Sequence, residues 1–161
     1  MRRLVASFVM SIAFSAAAPA LSPTPQSPTP QAPAPWVAAD PQGVAIGGYD
    51  PVGYFTQGRP VAGSAAHQHR WNGATWRFAS AETRGRFAAD PEAFAPRYGG
   101  WCAWAMSEGR LAAADPRVWR IVDGRLYLNC SARAQSQWEA GLPETSARAD
   151  ANWARLTGNR Q

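Results

Sequence analysis

The amino-acid sequence predicts a small α+β domain, an antiparallel sheet made from two β-hairpins and covered by short helices. Three observations carry that expectation. Asn72-Gly73 and Asp123-Gly124 each lie between runs that alternate apolar and polar residues, the signature of a two-residue type I′ hairpin. Between and after the hairpins, Ser80, Asp90 and Ser131 each open a stretch with helical spacing.

The domain is preceded by two segments of different character. Residues 1–20 begin with Arg2 and Arg3, continue as "LVASFVMSIAFSAAA" and end in "APA", a charged start, an apolar run too short to span a bilayer and a small-residue cleavage site. They read as a secretory signal peptide, which places the mature chain in the periplasm or outside the cell. Residues 21–35, "LSPTPQSPTPQAPAP", are too rich in Pro, Ser and Thr to bury apolar surface and read as an extended linker. The folded part is expected over residues 36–157, roughly 120 residues and enough for one modest core. No second apolar run follows, so no membrane span is expected after signal removal.

The net charge is +5, carried by Arg without any Lys. Losing Arg2 and Arg3 leaves 14 Arg against 11 acids, or +3. These Arg are scattered among the acids rather than striped, which argues against nucleic acid as a partner.

The elements follow in order. In "GVAIGGYDPVGYF", Asp50 before Pro51 reads as an N-cap with proline at the first helical position. In the first hairpin a turn at Asn72-Gly73 pairs Trp71 with Ala74, His69 with Trp76 and His67 with Phe78, with all six on the core-facing side. "SAETRGRFAADPEAFAPRYGG" reads as two helices, one capped by Ser80 and one running from Asp90-Pro91 to Gly99-Gly100. "WCAWAMSEG" is helical to Gly109. The second hairpin pairs Ile121 with Leu126 and Trp119 with Leu128, and extending that face points Cys130 inward. Two more helices close the chain, one from Ser131 to Gly141 and one over about Pro143 to Leu156. Beyond the hairpins no internal repeat is evident.

Four side-chain groups attract a functional reading. His67 and His69, at i and i+2 on one strand, lie about 6.5 to 7 Å apart at Cα, compatible with joint coordination of zinc or copper. Cys102 or Met106 would then supply soft sulfur; the competing reading is a half-buried imidazole pair among aromatics. Cys102 itself admits three readings: a core residue, a thiolate ligand or nucleophile at a helix start, or half of a disulfide with Cys130 worth roughly 3 to 4 kcal/mol. Among the eight Trp, Trp71, Trp76, Trp119 and Trp138 fall on inward faces. Trp101 and Trp104, beside Gly99-Gly100, are the candidates to line a ligand pocket for a sugar or another flat molecule. Asp50, Asp90, Asp115 and Asp123 each precede Pro or Gly and read as caps and turns.

Together "GGYDPVGYF", "WRFASAETRGRFAADPEAFAPRYGGWCAWA", "WRIVDGRLYLN" and "ADANW" resemble the YHS-domain family in its exported, single-domain form. The resemblance runs from about Gly43 to Trp153. Related domains bind soft metal ions, notably in copper transport proteins, through a "DPVCGM"-like opening and an "FCSxxC"-like turn. This chain has Gly53, Ala79 and Thr83 where those three thiols would stand, so the inherited metal site cannot operate here. Cys102 within "YGGWCAWA" is typical of the exported branch, whereas His67, His69 and Cys130 replace residues that are usually apolar or aromatic.

The function expected from these readings is an exported, non-catalytic binding module that handles a soft metal ion (copper, or zinc) or a small ligand near Cys102. A metal-free module that recruits an envelope protein partner is the alternative. A thiol enzyme is the third, and it lacks an identifiable base for the sulfur.

Overall fold

A computed structural model describes residues Trp36–Gly158 of the chain; the expected signal peptide and Pro-rich linker lie outside the described residues. Within them the fold is α+β, with two antiparallel two-stranded sheets and six helices. The hairpins remain two separate sheets rather than pairing edge to edge.

The first helix, α1 (Pro51–Gln57), starts where expected. Asp50 Oδ1 accepts the Val52 N–H at 2.9 Å, Pro51 supplies a preset φ, and Gly58 ends the helix at φ 61°. Strands β1 (Ser64–Trp71) and β2 (Ala74–Phe78) turn through Asn72 and Gly73, both at positive φ as a type I′ turn requires. Trp71 faces Ala74 and His69 faces Trp76. The expected His67–Phe78 pair does not form. An irregularity between Ser64 and Gln68 adds residues to β1, so Ser64 faces Phe78 and His67 falls inside the bulge.

Helix α2 (Ala81–Ala89) carries a capping box between Ser80 and Thr83. Helix α3 (Pro91–Phe94) is capped by Asp90 but stops well short of Gly99-Gly100. Pro96 accounts for the difference, because the residue before a proline is driven from helical to extended backbone, and Ala95 has ψ 138°. The chain then makes a 3₁₀ turn over Arg97–Gly100 in which Tyr98 and both glycines have positive φ. Helix α4 (Ala103–Ser107) follows, with Cys102 at its N-cap.

Strands β3 (Asp115–Val122) and β4 (Arg125–Asn129) pair in the predicted register, Trp119 with Leu128 and Ile121 with Leu126. Strand β4 ends at Asn129, so Cys130 is exposed instead of facing the core. Leaving the strand for the cap of the next helix breaks the alternation that would have turned it inward. Helix α5 (Ala132–Ala140) is capped by Ser131, and α6 (Glu144–Thr157) ends at Gly158.

The molecule repeats itself on a larger scale than the hairpins. Ser64, Trp71, Ala74, Phe78, Ala81 and Ala89 bound β1, β2 and α2, and each has its counterpart 51 residues later in Asp115, Val122, Arg125, Asn129, Ala132 and Ala140. The strand irregularities correspond as well, at Ser64/Gln68 and Asp115/Trp119. Each half is introduced by a glycine-rich 3₁₀ turn, "IGGYD" or "YGGWC", and a short helix. A bridge to a later residue recurs too, Tyr49 with Ala62 and Trp101 with Ala113.

Each half places one large aromatic from its second helix against its hairpin. Phe87 of α2 is fully buried against Trp71, Trp76 and Phe78. Trp138 of α5 is fully buried against Tyr127, with ring centroids 4.6 Å apart. Strand β4 serves both cores: Leu126 and Leu128 join the cluster around Phe87, while Tyr127 joins the one around Trp138, Met106 and Tyr98. No helix of the described residues is long and apolar enough to cross a membrane.

Candidate functional site

Of the residues expected to share a ligand, Cys102 and Met106 lie one turn apart at α4, the Met106 N–H on the Cys102 carbonyl at 2.9 Å, whereas both histidines lie on β1. His69 lies half-buried on β1 with its ring edge-on to Phe87 at 6.1 Å, and His67 is half-exposed in the bulge. Met106 is fully buried between Tyr98, Tyr127 and Trp138. Cys102, also fully buried, sits in a third cluster with Ala105 and Ala134. Among the described residues no group of three or more His, Cys, Asp and Glu is arranged to hold a metal ion. Trp101 and Trp104 stand half-buried against the Tyr98–Trp138 cluster.

Two places nevertheless bring chemistry together. The first is a cleft of about 750 Å³. Both hairpin tips border it, through Asn72 on one side and Asp123-Gly124-Arg125 on the other. Its aromatic lining is Trp36, Trp71, Tyr98 and Trp153, and its charged lining includes Asp90, Glu92, Arg97 and Asp150. Several of these are already held in place. Asp150 Oδ1 accepts from Arg97 at 2.7 Å and from the Tyr98 hydroxyl at 3.0 Å, and the Arg97 guanidinium lies 5.6 Å from the Tyr98 ring centre. Burial, followed by the Asp150 carboxylate, pushes the Tyr98 phenol well above its usual range, so it stays a neutral donor. Glu92 and Arg125 are exposed and make no comparable contact with Asp150. The cleft thus combines apolar ring faces with side chains of both signs, acidic in excess.

The second place is the corner where α4 begins beside the end of β4. Cys102 Sγ accepts the Cys130 N–H at 3.2 Å and donates toward Asn129 Oδ1 at 3.8 Å. Asn129 Oδ1 also accepts the Trp104 N–H at 3.0 Å. Asn129 is fully buried, and its Nδ2 has no partner among the described residues. Burial pushes the Cys102 thiol up; a hydrogen bond from the Ala105 backbone opposes this, and the neighbouring Cys130 thiol adds to the rise.

The corresponding corner of the first half explains this arrangement. There, fully buried Asp50 accepts the Val52 N–H on Oδ1 and the Ala79 N–H on Oδ2, each at 2.9 Å. Ala79 and Cys130 are counterparts 51 residues apart, both immediately before a serine cap. Asp50 and Cys102 each follow the Gly-Gly-aromatic triplet of their half, and each has its own N–H on a backbone carbonyl, Val61 at 2.8 Å or Ala112 at 3.0 Å. One carboxylate therefore does in the first half what Cys102 and Asn129 divide between them in the second. Reading Asp50 as a cap missed its bond to Ala79, 29 positions away. Aligning "IGGYD" with "YGGWC" was the signal that could have revealed it. No family model, curated protein or solved structure matches this chain.

Proposed function

We propose that the chain is an exported, non-catalytic binding module of the YHS type whose ligand is a saccharide held in the cleft between the two hairpin tips. The carrying observation is the cleft's lining, in which Trp71 and Trp153 meet Asp90, Glu92 and Asn72 around one opening. Ring faces of Trp stack on the C–H faces of sugars, and carboxylates and amides bond the hydroxyls. The volume suits a ligand of a few rings. The YHS resemblance is compatible with loss of the thiol site. A Cβ at Gly53 would meet Val61 Cγ2 at 2.8 Å, so Val61 occupies the space a longer side chain would need.

The test is a titration of the mature protein with neutral and N-acetylated oligosaccharides, followed by Trp fluorescence and calorimetry. A saturable signal is expected, weakened at least about tenfold, or roughly 1.4 kcal/mol, by Trp153→Ala and by the exposed Glu92→Gln. No saturation with any of these sugars overturns the reading and leaves the metal-free protein-interaction module.

One observation favours a second reading, soft-metal handling near Cys102. Cys130 brings a second sulfur to that corner, and two thiolates suit Cu(I). Anaerobic titration with Cu(I) should then give one-to-one uptake that Cys130→Ser abolishes and that a His67→Ala, His69→Ala variant retains. Uptake unchanged in Cys130→Ser sinks this reading.

A further inference from the structure

We propose that Cys102 and Cys130 form a reversible dithiol–disulfide pair, in which exposed Cys130 meets a low-molecular-weight disulfide and buried Cys102 resolves the mixed disulfide that forms.

Three observations point to this pair. The first is proximity: the Cys130 N–H lies on Cys102 Sγ at 3.2 Å. With one N–Cα bond added, Cys130 Cα is within roughly 4.7 Å of that sulfur. The Cys130 thiol itself is close enough to raise the proton affinity of Cys102. That bound is compatible with the Cα–Cα span of about 4.4 to 6.8 Å across which disulfides form.

The second observation is asymmetry. Cys130 is exposed and Cys102 is fully buried. A solute disulfide can reach only Cys130, and the mixed disulfide it leaves can be attacked from inside only by Cys102. The third is the corner that holds Cys102. Its counterpart at Asp50 accommodates a buried carboxylate by presenting the N–H that follows β2. Cys102 receives the matching N–H from Cys130, and Asn129 beside it keeps a buried amide donor without a partner among the described residues. A thiolate at Cys102, transient during exchange, would thus form where the backbone already accommodates negative charge in the other half.

The exchange balances in two steps. The Cys130 thiolate attacks one sulfur of R–S–S–R; the S–S bond breaks, RS⁻ leaves and the Cys130–S–S–R bond forms. Cys102, having given its proton to a departing thiolate, then attacks the Cys130 sulfur and expels the second RS⁻. The two protein thiols lose two electrons and two protons, and the external disulfide becomes two RSH.

The experiment uses the reduced full chain, its Cys102→Ala and Cys130→Ser variants, and oxidised glutathione as the probe, read by intact mass and peptide mapping. The parent should lose two hydrogens and keep no glutathione, with Cys102 and Cys130 in one linked peptide pair that dithiothreitol restores. Cys102→Ala should stop at a lasting glutathione adduct on Cys130, and Cys130→Ser should stay unmodified while folded. A parent that stalls as the Cys130 adduct, or that reacts at neither thiol, overturns the proposal. Near-ultraviolet circular dichroism establishes that the variants are folded; because Cys130 is exposed, Cys130→Ser tests the pair even if Cys102→Ala is destabilised. The cleft and its ligand take no part in this test.

Discussion

The first half of the domain, Ile46 to Ala89, and the second, Tyr98 to Ala140, share one chain path but do different work. In the first, the hairpin buries one side only: Ala74, Trp76 and Phe78 are buried on β2, while Thr75 and Arg77 between them are partly exposed. In the second, β4 is buried on consecutive residues from Leu126 to Asn129 because both cores close on it. The same backbone corner is filled differently in the two halves. Asp50 binds two N–H groups as a carboxylate, whereas the second half uses a thiol and an amide. Cys102 is thus best understood by what stands at its counterpart.

The largest effect should come from removing the aromatic wedge of the first half, and the wedge of the second half gives its contrast. Phe87→Ala removes the ring that touches His69, Trp71, Trp76 and Phe78, and should cost about 4 kcal/mol in urea denaturation. Trp138 occupies the counterpart position, but its buried Nε1 has no partner among the described residues. Trp138→Phe exchanges lost volume for relief of that donor and should cost less than about 1.5 kcal/mol. A loss as large as that of Phe87→Ala would mean the indole nitrogen is satisfied in solution.

Next in size are the two corners. Asp50→Ala deletes a cap and a long-range tie, two hydrogen bonds to a charged acceptor, and should cost about 3 kcal/mol. Cys102→Ala loses a weak sulfur acceptor and leaves a small cavity, and should cost about 1.5 kcal/mol in the reduced protein. Equal costs would mean the correspondence is one of backbone only, with no difference in how the side chains hold the corner.

The halves also differ in how much of them the sequence discloses. Both type I′ turns were legible because Asn-Gly and Asp-Gly need positive φ at both positions, and both serine caps were legible because capping is local. The bulge that displaces His67 was not, since an added residue on one strand depends on what the other strand packs against. The cleft was illegible for a related reason. Trp36, Trp71 and Trp153 come from three distant parts of the chain, and no local pattern links them, whereas Trp101 and Trp104 stood out by adjacency. The repeat lay open in the sequence as a 51-residue spacing between the two turns, but the residues that differ between the halves, His69 against Arg120 or Phe78 against Asn129, hide it from inspection.

The smallest effect separates the corners by pH. Burial raises the Cys102 thiol above its ordinary value near 9, so the folded state keeps a proton that the unfolded state releases. Below that value both states hold the proton and the contribution of Cys102 to stability is fully present; as the pH climbs through it, the unfolded state gains and the contribution drains away. Tyr54, Tyr98 and Tyr127, also raised by burial, bring their own alkaline losses, but these are shared with a Cys102→Ala variant and cancel in the difference. The stability gap between reduced parent and Cys102→Ala should therefore narrow from about pH 8 to about pH 10. A gap that widens instead would mean that the Cys130 N–H and the helix start outweigh burial and hold Cys102 as a thiolate. The second half would then carry a buried negative charge just as the first does at Asp50.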